Sequence, residues 1–155
     1  MSSHPDLAVF GSGAWGTALA MAWGRQGARV ALWGHPAEAV RELAETRQHP
    51  RLPGAELPLT VTPVADPALA FQAPIWISAL PTQVSPEVWR RLADTATTRP
   101  ELMIHVSKGI LQEGHRRLSE ALGPILGIPI GVLSGPSFAD EVAIDLPAAV
   151  VLALP

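Results

Sequence analysis

Short continuous apolar runs alternate along this chain with stretches in which apolar residues recur at helical spacing. Residues 7–10, 29–33, 75–80, 102–106, 128–133 and 148–152 are apolar almost throughout rather than at every second position, the pattern of strands covered on both faces. Residues 57–61 are a weaker strand candidate. Between the runs, 14–26 predicts an Ala-rich helix stopped by Gly27, and 36–46 predicts a second with Val40, Leu43 and Ala44 on its inward face. Pro36 suits the first turn of that second helix. Residues 86–93 and 113–122 predict two shorter helices, and 48–58, with three prolines and a glycine, predicts an ordered loop. Strands that alternate with helices in this way predict an α/β fold, a doubly wound and mostly parallel sheet with helices on both faces.

A chain of 155 residues, 48% apolar, is one domain's worth of sequence and can bury a core without covalent staples. The lack of cysteine removes thiol catalysis, thiolate metal sites and disulfides, and no metal site is expected. A net charge of -3 with no block of like charge gives no electrostatic footprint for duplex nucleic acid or an anionic membrane. The 18 residues from Leu7 to Gly24 carry no charge and contain Ala18-Leu19-Ala20. No Lys or Arg precedes them, however, and Gly11, Ser12, Gly13, Gly16 and Thr17 interrupt the apolar run, so the stretch reads neither as a signal peptide nor as a membrane span.

Those interruptions carry the first chemistry. Gly11-Ser12-Gly13-Ala14-Trp15-Gly16 is a G-x-G-x-x-G placed directly after a predicted strand and at the start of a predicted helix. In that context Gly11 permits the tight turn, Gly13 lets backbone approach a pyrophosphate, and Gly16 lets the helix pack closely on the strand. The helix N-terminus adds unpaired N–H groups and partial positive charge. About 20 residues later a carboxylate would select NAD by bonding the ribose 2′-OH. Here the second strand ends Leu32-Trp33-Gly34-His35, with neither a carboxylate nor an Arg, so His35 leaves NAD and NADP both open.

Among eleven basic residues only one, Lys108, is lysine. An ammonium is a compact charge with three rotatable donors and does chemistry a guanidinium fork cannot. Lys108 follows the run 102–106, at the carboxyl end of a predicted strand, where open parallel sheets bind ligands. A second strand, turn and helix is written in Ser134-Gly135-Pro136-Ser137-Phe138-Ala139-Asp140-Glu141. Ser137 suits the N-cap there, with Asp140 as the capping acid, and the turn either caps the helix alone or also meets a ligand at the edge shared with Lys108.

Taken together, Gly-Ser-Gly-Ala-Trp-Gly-Thr-Ala-Leu-Ala at 11–20, Leu-Trp-Gly-His at 32–35, Leu-Pro-Gly at 52–54, Leu-Pro-Thr-Gln at 80–83, Ser-Lys-Gly at 107–109 and Ser-Gly-Pro-Ser-Phe-Ala-Asp-Glu at 134–141 resemble the bacterial-type NAD(P)-dependent sn-glycerol-3-phosphate dehydrogenases. The resemblance spans nearly the whole chain and implies a Rossmann-like N-terminal domain over 1–155 that takes NAD or NADP. It implies that Gly11, Gly13, Ala14, Trp15, Gly16, His35 and Ala139 contact the dinucleotide, that Lys108 touches both cofactor and substrate, and that Gly135 and Ser137 hold glycerol phosphate. It further implies a cytoplasmic enzyme, a homodimer when full length, that interconverts sn-glycerol 3-phosphate and dihydroxyacetone phosphate for glycerophospholipid synthesis.

Two departures are mild. Ser107 stands where the family has Thr, and His49 where it often has Asn. A larger one is length: family members carry a helical C-terminal domain whose lysine is the catalytic base, so this chain alone is expected to bind cofactor weakly, to self-associate and to be inactive. Should the base lie within the chain after all, His105 and Asp140 are the candidates. Other readings of the same residues are a ketopantoate- or opine-type dehydrogenase and a dinucleotide-sensing module without chemistry.

Overall fold

The computed structural model describes residues 4–155. Seven strands form one sheet in the order β3-β2-β1-β4-β5-β6-β7. They are β1 (Leu7–Phe10), β2 (Val30–Trp33), β3 (Val61–Val64), β4 (Ile75–Ser78), β5 (Leu102–His105), β6 (Ile130–Ser134) and β7 (Val151–Ala153). The first six pair in parallel, in the order of a Rossmann-like sheet. Five helices connect them: α1 (Ala14–Arg25), α2 (Ala37–Thr46), α3 (Ser85–Thr95), α4 (Leu118–Leu126) and α5 (Ala139–Ala143).

The apolar runs are continuous because each strand feeds two cores. Leu7, Val9, Val30, Leu32, Ile77 and Ile104 face α1, α2 and α5, while the intervening Ala8, Phe10, Ala31, Trp76 and Met103 face α3 and α4. The second core is aromatic. Phe10 packs against Trp89 at 4.8 Å and Trp76 at 5.3 Å between ring centroids, and both indoles find polar partners, Trp89 Nε1 donating to Ser78 Oγ and Trp76 Nε1 to Ala73 O. Large rings whose one polar atom is satisfied can be buried completely without an orphaned donor.

Several expected elements are displaced, each for a local reason. The weak candidate at 57–61 is mostly loop, held by Leu57, whose N–H donates to Arg47 O, and the strand proper is β3. Pro63 is tolerated there because β3 is an edge strand. The helix expected over 113–122 splits: a short 3₁₀ turn (Glu113–His115) contains Gly114 at φ +69, and α4 starts afresh at Leu118, where Glu120 accepts the Arg117 N–H. In α2, Val40 and Leu43 are buried but Ala44 is exposed, and Pro36 caps the helix from one residue before its first turn. Phe138 rather than Ser137 occupies the N-cap of α5; Ser137 Oγ instead donates to Gly135 O, so the expected capping pair with Asp140 does not form. The strand expected at 148–152 is β7, which runs antiparallel to β6 and is exposed on both faces rather than covered.

The loop over 48–58 is ordered as expected. Leu52, Ala55 and Leu57 are buried in the α1 core, and Arg47 donates to the carbonyls of Leu57, Pro58 and Val61. This brings the loop over the start of α1, where it meets the glycine turn.

Candidate cofactor site

At the carboxyl ends of the strands lies a cleft of about 1140 Å³. It opens where the strand order reverses, at β1 and β4, the position at which sheets of this kind bind ligands. The glycine turn forms one wall. Gly11 has φ +124, and a Cβ there would stand 2.7 Å from Ala79 O; one on Gly16 would stand 1.9 Å from Gly11 O and 2.9 Å from the Ala79 side chain. Both glycines thus let α1 and β4 close on the turn. Gly13 is different: it sits at the N-cap with φ −70, and the only atom near a Cβ built there is Arg51 Nη2, at 3.5 Å.

No side chain caps the start of α1. Its first N–H groups are therefore directed at the cleft with no partner from the chain, an arrangement suited to an anion. Trp15 spans from this turn to the next strand, its Nε1 donating to Val106 O at 3.1 Å. Beyond it, Lys108 Nζ donates to Ser137 O at 3.2 Å and lies 6.0 Å from the Trp15 ring centre. Three motifs separated by some 120 residues of sequence meet in this one cluster.

Gly11, Gly13, Ala14, Trp15, Gly16, His35, Lys108, Ser137 and Ala139 all line the cleft. Gly135 does not. Its missing side chain makes room for the returning chain, since a Cβ would stand 2.5 Å from Ala149 O. Two groups of residues escaped the sequence reading. Arg51 lines the cleft from the 48–58 loop, and Leu80, Pro81 and Thr82 form its far rim. Arg51 is placed by His49, which is buried and accepts the Arg51 N–H on Nδ1. Burial pushes the His49 imidazole below its usual range, the Arg51 charge adds to that, and a hydrogen bond with the Ser12 backbone opposes both. The signal for Arg51 in the sequence was only its place just ahead of Leu52-Pro53-Gly54.

The charge of the cleft is one-sided. Arg51, Arg91 and Lys108 line it, and no carboxylate does, in a chain whose net charge is -3. Arg91 is already paired with Glu87, which leaves Arg51, Lys108 and the α1 N-terminus for a ligand. Open backbone donors, a side-chain-free N-cap, two cations and a half-buried indole fit the phosphates and flat rings of a dinucleotide.

The comparisons agree with this geometry. The sequence profile of the NAD-dependent glycerol-3-phosphate dehydrogenase N-terminus matches residues 6–155. Among curated relatives, glycerol-3-phosphate dehydrogenase [NAD(P)+] from Acidiphilium cryptum is 42% identical over 160 residues, which cover 99% of this chain and 46% of the relative. The corresponding protein of Bradyrhizobium diazoefficiens is 40% identical over 99% of this chain and 47% of its own length. The crystal structure of glycerol-3-phosphate dehydrogenase from Coxiella burnetii superimposes with a TM-score of 0.84 at 34% identity, over 96% of this chain and 46% of that one. The chain spans about half the length of the curated relatives it matches. A Rossmann-like sheet, an uncapped glycine turn and a family profile that runs from residue 6 to residue 155 place the chain in the NAD-dependent glycerol-3-phosphate dehydrogenase N-terminal family.

Proposed function

We propose that this chain is the NAD(P)-binding part of a dehydrogenase that interconverts sn-glycerol 3-phosphate and dihydroxyacetone phosphate. The observation that carries the reading is the cleft itself, lined by open α1 donors, Arg51 and Lys108 and free of carboxylates. Bound NAD(P) supplies the hydride acceptor or donor, and the remaining tasks fall to the chain. The turn at Gly11, Gly13, Ala14 and Gly16 receives the phosphate bridge, Trp15 and Ala139 flank the cofactor, and His35 meets the adenosine end. Lys108 spends one ammonium proton on Ser137 O and keeps two for ligand oxygens. Those two protons orient the reacting oxygen at carbon 2 of the substrate and favour the transition state by charge. Ser137, held by Gly135 O, presents the second turn to the substrate phosphate, with Gly135 shaping that turn from behind.

The chain contains no second lysine. We place the proton acceptor in the part of the relatives that this chain does not span. A cytoplasmic, homodimeric enzyme feeding glycerophospholipid synthesis belongs to the same proposal, which takes its substrate from the names of the relatives. No helix among the described residues is long and apolar enough to cross a membrane.

The test is calorimetric titration of the 155-residue chain with NADH, together with an absorbance assay for NADH formation from NAD and glycerol 3-phosphate. Binding without measurable turnover is expected, since losing a positioned base typically costs about 10²–10⁴ in rate. No heat of binding from a folded sample would remove the cofactor reading, and robust turnover would move the base back into the chain.

A further inference from the structure

Leu80, Pro81 and Thr82 rim the cleft, but Gln83, the last residue of that motif, has no part in the function described so far. In the fold the motif is the connection from β4 to α3, and it bonds at four points to the connection that follows β5. Ser107 Oγ donates to Leu80 O at 2.5 Å, and Thr82 Oγ1 donates to Lys108 O at 2.7 Å. Gln83 does the rest with one amide: its Nε2 donates to Ile110 O at 2.9 Å and its Oε1 accepts the Gln112 N–H at 3.0 Å. Bonds therefore cross between the two connections in both directions.

What lies between these bonds is Lys108. Its backbone carbonyl is fixed by Thr82, and Gly109 follows at φ +101, a turn that would otherwise leave the loop free to pivot. Its ammonium reaches Ser137 O across the cleft. A long, exposed side chain holds one position only if its Cα does, and no helix or strand carries residues 106–112. Gln83 lies outside the cleft lining, and its side-chain bonds go only to the lysine loop, at Ile110 and Gln112.

We propose that Gln83 is a positioning residue for Lys108, its side-chain amide substituting for secondary structure in the lysine loop and setting where the ammonium stands over the cleft. Its relevance to the reaction rests on the reading of Lys108 given above; the latch itself does not.

The single lysine makes the test direct. A chain labelled only with ¹⁵N-lysine gives one backbone amide resonance, that of Lys108. Gln83→Leu, which removes both bonds, should move or broaden that resonance and weaken NADH binding about tenfold, the equivalent of 1.4 kcal/mol at 25 °C. Gln83→Glu keeps an acceptor for the Gln112 N–H but has no donor for Ile110 O, and should fall between Leu and wild type; it also decides the matter if the Leu variant fails to fold. Thr60→Val serves as control, because it deletes a side-chain bond of the same kind, to Gly24 O at 2.8 Å, far from the lysine loop. A Gln83→Leu resonance at the wild-type position with a wild-type response to NADH overturns the proposal. So does an equal displacement in Thr60→Val, which would mean general loosening. If wild type binds no NADH, the cofactor reading fails, and the resonance of the free protein still decides the latch.

Discussion

The glycines at 13 and 16 are three residues apart in one motif, and the structure separates what each does. At Gly13 the backbone is extended, with φ −70 and ψ 174, and a new Cβ would meet nothing nearer than Arg51 Nη2 at 3.5 Å. Gly13→Val suits that backbone. The weaker N-cap preference of an apolar residue is offset by lower entropy of the unfolded chain, so stability should change by no more than about 1 kcal/mol, or roughly 2–4 °C in Tm. The added methyl groups instead occupy the approach to the free N–H groups of α1. Blocking one hydrogen bond to a charged group costs about 1.5–3 kcal/mol, which is roughly 10- to 150-fold in affinity. Gly16→Ala should do the reverse. Its methyl would stand 1.9 Å from Gly11 O, against backbone that cannot rotate away, so α1 must lift from the sheet. Overpacking of this kind costs about 1–3 kcal/mol or more, a fall in Tm on the order of 5–10 °C. Circular dichroism melts and calorimetric titration with NADH separate the two effects. A folded Gly13→Val chain that binds NADH as wild type does would refute the placement of the phosphates, and an unshifted melt for Gly16→Ala would refute the packing argument.

Three further outcomes are expected. On the proposed function, in a protein with the full length of the relatives, Lys108→Arg should cut turnover by on the order of 10², the usual loss for one misplaced charge-stabilising donor, with little change in melting temperature; wild-type turnover would make Lys108 a bystander. Arg51→Gln should weaken NADH binding about tenfold and flatten its salt dependence, since it removes a cation facing the glycine turn; an unchanged salt slope would show that Arg51 meets no anion. Burial pushes the His49 and His105 imidazoles below their ordinary 6.5, so on acidification the unfolded chain takes up these protons before the folded chain does. Stability is therefore complete above pH 6.5 and falls on acidification, by up to about 1.4 kcal/mol per pH unit for each histidine until it protonates in the fold. Melting curves from pH 7 to 5 should flatten when His49→Asn and His105→Gln are combined, and parallel curves would count against it.

The alternation of periods identified the sheet because a strand buried on both faces must be apolar at every position, and Val9, Leu32 and Trp76 meet that demand without help from context. β3 was misplaced because an edge strand has no such demand: Thr62 is exposed and Pro63 reads as a breaker. β7 is apolar for another reason, and its period could not show that it would run antiparallel in the open. At the site, local motifs were legible where backbone geometry dictates the residue, as at Gly11 and Gly16. Arg51, Thr82 and Gln83 were not, since each acts through contacts with residues made neighbours only by the fold, and nothing in the local motif shows that a side chain at Gly135 would strike Ala149 of the returning chain.

The aromatic core under α3 is sealed from solvent while the Trp15 indole stands in the cleft, and this gives the chain two kinds of optical reporter. Trp76 and Trp89 are fully buried and stacked at 5.8 Å, beside Phe10, with no path to solvent. Their coupled near-ultraviolet dichroism tracks whether α3 remains seated on the sheet, and neither indole itself lines the cleft. Trp15 is half-buried among the residues that would meet the nicotinamide cofactor. A ligand that quenches the emission lost in a Trp15→Phe variant while leaving the near-ultraviolet bands in place has entered the cleft, whereas a variant that loses those bands while keeping its far-ultraviolet spectrum has a loosened interior behind an intact backbone.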